Sequence, residues 1–140
     1  MSIDKIRSAT IGGSKKPRSR MVNVNGVEVE VRQMSYAMRK EVVQRATTEK
    51  ADGTSRIDAV DFQLWMVIYG TFDPETKKQV FADTDYADLM GHPTGGWLDD
   101  LSRAVSDLNG GTEAQAVKNF VQTQNESSSS ESPKSSEAAA

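Results

Sequence analysis

The chain has 140 residues, no cysteine, one histidine and a net charge of −3. That length supports one domain with its own core, and the missing cysteine excludes a disulfide framework, a thiolate zinc site and a thiol nucleophile. No apolar run reaches the roughly 18–20 residues of a membrane-spanning helix, and the basic N-terminus lacks the apolar stretch of a secretory signal.

Charge is unevenly placed. Residues 1–20 carry six basic side chains against one acid, residues 21–121 ten against sixteen, and residues 122–140 one against three. A basic arm therefore precedes an acidic body. An acidic body argues against nucleic acid as the main partner, because phosphate binding needs a basic surface.

Residues 1–20 mix Ser, Gly, Lys and Arg with little apolar content, and disorder is expected there. Met21 to Met34 alternates: Val22, Val24, Val27, Val29 and Val31 fall on one face, with Asn23, Asn25, Glu28, Glu30 and Arg32 on the other. Asn25-Gly26 between the two runs predicts a type I′ hairpin. Ser35 is a helix cap. Met38, Val42 and Ala46, with Tyr36 and Val43 beside them, predict an amphipathic helix to about Thr48. Glu49 to Thr54 reads as a loop.

The most apolar window follows, with Gln63 the one polar residue between Phe62 and Tyr69. A buried helix is expected from Ser55, with Ser55 and Asp58 as its capping pair. The window is also rich enough in β-branched and aromatic residues for a buried strand, but its periodic pattern is too long for one. Asp73-Pro74-Glu75-Thr76 predicts a turn joining Thr71-Phe72 to Gln79-Val80-Phe81 as a second short hairpin. Asp83 to Met90 reads as a short helix with acids in its first turn. Trp97, Leu98, Leu101, Ala104, Val105 and Leu108 mark the cleanest amphipathic helix, stopped by Asn109-Gly110-Gly111. Thr112 and Gln115 open a last helix through Ala116, Val117, Phe120 and Val121. From Gln122 the chain is Ser- and Glu-rich and is expected to be disordered.

These readings predict a small single α+β domain, mainly helical. It has an N-terminal β-hairpin, four to five helices and a second short hairpin. The domain, residues 21–121, lies between a disordered basic arm (1–20) and a disordered Ser-rich tail (122–140).

The chemistry of a site is sparse. His92 sits in a Met-Gly-His-Pro-Thr loop, where a solvated histidine is expected. Gly12-Gly13-Ser14-Lys15-Lys16 lacks the spacing of a phosphate-binding loop. Asp83, Asp85 and Asp88 lack the Gly and terminal Glu of a calcium loop. Asp99 and Asp100 are expected to face water. No catalytic, cofactor-binding or metal-binding set emerges. Trp65 reads as a core anchor. Trp97, at a helix start after two glycines, fits a core position and an exposed hot spot equally.

The order of motifs from Val24 to Val121 resembles the tail assembly chaperones of long-tailed bacteriophages, over roughly 100 residues. A paired-strand segment leads to a first helix at Met34-Ser35-Tyr36-Ala37-Met38-Arg39. An apolar helix ends in Tyr69-Gly70-Thr71-Phe72-Asp73-Pro74-Glu75. Phe81 precedes an acidic short helix ending at Leu89. A final amphipathic helix leads to Leu108-Asn109-Gly110 and then Lys118-Asn119. The basic arm has no counterpart in that pattern.

The resemblance implies a non-enzymatic protein of the host cell cytoplasm, absent from the mature virion. It would bind the tape measure protein and keep it soluble while the tail tube assembles. Its own frameshift-extended form and the tail tube protein are further implied partners. Ser132-Pro133-Lys134 is compatible with a slippery heptamer for such a frameshift, and the Ser-rich tail would then be a linker. Lys15-Lys16 and Lys77-Lys78 are also compatible, but a shift there would truncate the domain. The candidate partner-binding residues are Trp97, Leu101, Lys118, Asn119 and Phe120. A structural virion component, either a minor tail protein or a head–tail joining protein, is one alternative. A nucleic-acid-associated regulator using the basic arm is the other.

Overall fold

The structure, a computed structural model, describes residues 2–110. Its elements in chain order are α1 (Ile3–Ala9), β1 (Ser19–Val24), β2 (Val27–Arg32), α2 (Tyr36–Ala46), β3 (Thr47–Glu49), β4 (Ser55–Ile57), α3 (Ala59–Gly70), β5 (Thr71–Phe72), a 3-10 turn (Asp83–Asp85), α4 (Tyr86–Met90) and α5 (Trp97–Leu108). This is the small α+β domain the sequence predicts. Residues 111–121, where the last helix is expected, and the Ser-rich tail lie outside the described residues.

Asn25 (φ 51°) and Gly26 (φ 89°) both take the left-handed conformation a type I′ turn requires. β1 and β2 pair antiparallel, Val22 opposite Val29. Their valine face lies against α5. β5 joins the other edge of β2, giving the order β1-β2-β5. The expected second hairpin is reduced to an isolated bridge, Phe72 with Gln79, closed by Val80 N–H donating to the Thr71 carbonyl at 3.0 Å. Lys77 takes a left-handed φ of 65° inside that turn.

α3 is the centre of the core. Phe62, Leu64, Trp65, Met66, Val67 and Ile68 are all buried in it. α2 packs on one side and α5 on another. A helix apolar around most of its circumference must be covered this way. Gln63, the exception, donates through Nε2 to Asp99 Oδ1 of α5 at 2.8 Å.

Several expectations are corrected. The helix begins at Ala59, capped by Asp58, whose carboxylate accepts from Asp61 N–H at 2.9 Å. Ser55 is not its cap, because Ser55–Ile57 forms β4 and pairs with β3. The residues expected to be a loop thus form the turn of a small hairpin, with Gly53 at φ 87°. Val60, in the first turn of α3, is 52% exposed, so the apolar pattern of the helix is not buried from its start. Asp99 does not simply face water, since both carboxylate oxygens accept hydrogen bonds, from Gln63 and from Gly95 N–H.

The basic arm also differs from expectation. Ile3–Ala9 is a helix, with Ser2 Oγ accepting from Lys5 N–H at 3.2 Å, and it buries no residue. Ser19 and Arg20 belong to β1, so the sheet begins before residue 21.

Candidate partner-binding surface

Ser35 fixes the start of α2. Its backbone is extended (φ −71°, ψ 164°) and its Oγ accepts from Met38 N–H at 3.1 Å. Tyr36 is therefore the first helical residue. At about 100° per residue, Met38, Val42 and Ala46 form one stripe, while Tyr36 and Val43 form a second about 100–120° away. The first stripe turns inward, and Val42 and Ala46 are fully buried. The second lies at the surface edge, with Tyr36 93% exposed and Val43 half-buried against the core. With Arg39, Lys40 and Gln44 it lines an open hollow of about 410 Å³. The walls are the Tyr36 ring, Val43, Gln44 and the two basic residues, of which Lys40 is exposed and Arg39 half-buried.

A second hollow, of about 250 Å³, shares Tyr36 and Arg39 with the first and continues to Met34, Leu108, Asn109 and Gly110. Asn109 organises this end. It is buried, its Oδ1 accepts from Met34 N–H at 2.7 Å, and its Nδ2 donates to the carbonyls of Val105 (2.8 Å) and Arg32 (3.3 Å). Arg39 Nη1 donates to the Asn109 carbonyl at 2.8 Å. One amide side chain thus ties the end of α5 to the segment between β2 and α2, and Arg39 ties α2 to the same point.

The opposite flank of α2 carries a fully partnered cluster. Trp65 stacks between Tyr86 (5.1 Å) and Tyr69 (5.9 Å). The Arg45 guanidinium lies 4.8 Å from the Trp65 ring centre, a cation–π contact. Arg45 also pairs with Glu41 (3.0 Å) and Asp83 (2.8 Å), and Tyr69 O–H donates to Asp83 at 3.1 Å. Burial alone would lower the Arg45 pKa, but Tyr69, Asp83 and Glu41 outweigh it and raise it. Tyr86 O–H donates to the Asp61 carboxylate in a close contact. That bond, then burial, then the Asp61 and Asp58 charges push the Tyr86 pKa up to about 12. With its polar groups satisfied internally, the cluster is a clamp between α2, α3 and α4.

Glu30 is the buried charge of the sheet. Burial pushes its pKa up, but the Ser19 hydroxyl and the charges of Arg32 and Lys77 outweigh that and hold it below the ordinary value. Arg32 Nη2 lies 3.4 Å and Lys77 Nζ 3.5 Å from Glu30 Oε1. The Arg32 guanidinium also covers the Phe72 ring at 4.1 Å. Glu30, expected on the solvent face of the strand, is therefore enclosed by its own neighbours.

The sequence candidates are not brought together as a partner-binding face. Leu101 is 1% exposed and belongs to the core between α5 and α3, so it presents no surface to a partner. Trp97 is half-buried, 6.5 Å from Phe81 and edge-on to His92 at 5.3 Å. Lys118, Asn119 and Phe120 lie outside the described residues. Tyr36, read from the sequence as flanking the core stripe, is instead the most exposed large apolar side chain described. Its heptad spacing from Val43 is the signal that separates the two stripes.

Among the described residues, no group of three or more His, Asp or Glu could hold a metal ion, and no helix is long and apolar enough to cross a membrane. No family model matches the chain, and neither a curated protein nor a solved structure matches it.

Proposed function

We propose that this chain is a non-enzymatic tail assembly chaperone of a long-tailed bacteriophage. It binds the tape measure protein in the host cell cytoplasm, keeps it soluble while the tail tube assembles, and is left out of the finished virion. The phage assignment rests on the order of motifs from Val24 to Val121. The observation that supports binding is the Tyr36–Val43 stripe of α2, exposed at Tyr36 and half-buried at Val43. It is an apolar surface flanked by Arg39 and Lys40, on a helix whose other stripe is committed to the core. An amphipathic helix with a few acidic residues fits that surface by shape and charge.

Co-expression with the large helical open reading frame next to this gene tests the reading. The expected result is co-purification and a rise in that protein's soluble yield, both reduced by Tyr36→Glu. If wild type neither co-purifies with it nor raises its solubility, the chaperone reading fails. If Tyr36→Glu performs as well as wild type, the α2 surface is the wrong face.

A further inference from the structure

The basic arm is anchored beside α2. Gln33 N–H donates to the Arg18 carbonyl at 2.8 Å, and Arg18 N–H donates to Gln33 Oε1 at 3.2 Å, which carries the β1-β2 pairing one step past Ser19. Residues 14–17 then line a hollow of about 320 Å³ together with Gln33, Met34 and Ser35. The 250 Å³ hollow at Asn109 shares those three residues, adds Arg18, and leads through Tyr36 and Arg39 into the apolar hollow of α2. The three hollows make one groove from the arm to Val43. Lys15, Lys16, Arg18, Arg39 and Lys40 line it, and no Asp or Glu does. Lys15, Lys16 and Arg18 are exposed, and none of their side chains has an ion-pair or hydrogen-bond partner among the described residues.

We infer that this groove takes an acidic, amphipathic segment of a protein partner, with Lys15, Lys16 and Arg18 as its recognition rim, an assignment that rests on α2 being the partner-binding face. Charge decides the sign. Residues 21–121 hold sixteen acidic side chains against ten basic, so a groove lined by five cations is a local reversal. It attracts carboxylates where the rest of the body repels them. The floor favours protein over nucleic acid. Met34, Leu108, Tyr36 and Val43 offer apolar contacts that successive turns of an amphipathic helix can fill. A nucleic acid would instead carry its phosphates past the groove and onto the acidic body. The rim also discriminates, because a basic amphipathic helix would set like charges against Lys15, Lys16 and Arg18.

Fluorescence anisotropy on the full chain tests this with two labelled synthetic peptides. Both carry leucines at helical spacing, one with glutamates between them and the other with lysines. At low salt the Glu peptide is expected to bind at least ~10-fold more tightly than the Lys peptide, and Lys15→Glu, Lys16→Glu and Arg18→Glu combined should weaken it at least ~10-fold. The same reversal at exposed Lys50, Arg56 and Arg103, which changes net charge equally, should alter binding by no more than ~2-fold. Failure of the Glu peptide to bind, equal binding of the two peptides, full binding by the arm variant, or an equal loss in the control variant each overturns the inference. A single-stranded oligothymidylate that binds more tightly than the Glu peptide assigns the groove to nucleic acid and overturns it as well. Co-purification with the large neighbouring protein alongside any of these failures keeps the chaperone reading and removes the groove. Selective, arm-dependent binding of the Glu peptide without co-purification does the reverse.

Discussion

Gly70 and Val105 touch so closely that no side chain fits between them. A methyl group on Gly70 would lie 2.7 Å from Val105 Cγ1. Val105 is fully buried and, as a β-branched helical residue, has one favoured rotamer. Ala is the better helix former by about 1 kcal/mol, but overpacking costs about 1–3 kcal/mol. Gly70→Ala should therefore lower stability in urea unfolding. Gly70→Ala with Val105→Ala should lose less than the two single changes added together, because each relieves the other.

Asn109→Ala should cost about 2–3 kcal/mol by the same measurement. The loss leaves the Met34 N–H without its acceptor and the Arg32 and Val105 carbonyls without this donor. Asn109→Asp keeps an acceptor for Met34 but turns a carboxylate oxygen toward two carbonyls. It should not rescue the fold.

Arg45→Ala should cost about 1 kcal/mol, combining the cation–π contact with ion pairs that are partly solvent-screened. Arg45→Lys should recover little of it, since an ammonium cannot lie flat on Trp65 while bridging Glu41 and Asp83. Chemical unfolding of the two variants decides between packing and charge alone.

Two groups give opposite pH limbs. Glu30 has a lowered folded pKa, so its stabilisation is present above its unfolded value near 4.5 and is lost as pH falls through the folded value. Tyr86 is raised from 10 to about 12, so its stabilisation is present below pH 10 and is lost as pH rises between these values. Glu30→Gln should reduce the acid limb of a stability profile, to which the lowered carboxyls of Asp52 and Asp73 also contribute, and Tyr86→Phe the alkaline limb, which Tyr69 shares, each leaving the other limb intact.

Ser106 is buried in α5 and its hydroxyl pairs with no other described residue. Ser106→Ala should raise stability by about 0.5–1 kcal/mol, as the orphaned hydroxyl disappears and helix propensity improves. A loss of stability would show that the hydroxyl has a partner.

Local chemistry was readable where one residue decides the geometry. Asn25-Gly26 fixes a turn, Ser35 fixes a helix start, and the α5 stripe fixes its buried side. Reading failed where tertiary contacts outweigh pattern. β3 and β4 are three residues each, too short to alternate, and become strands only by pairing with one another. Glu30 occupies an outward strand position but is enclosed by side chains from Ser19, Arg32 and Lys77, and no pairwise period encodes that. The candidate surface was half legible. Tyr36 was marked as apolar, but that it misses the core depends on where the cap sets the helix phase. Leu101 was a strong apolar anchor, and such a residue on the face of a helix packed against α3 is core.

The bond between Asn109 and Met34 joins residues 75 positions apart. Closing so long a loop is entropically late, because ordering must precede the reward. The unit from α2 to α3 needs only short-range closure and is free to form first, with α5 locking onto the β1-β2 hairpin at the end. Asn109→Ala should then accelerate unfolding while leaving the refolding rate nearly unchanged, a kinetic asymmetry that makes this one amide the latch of the fold.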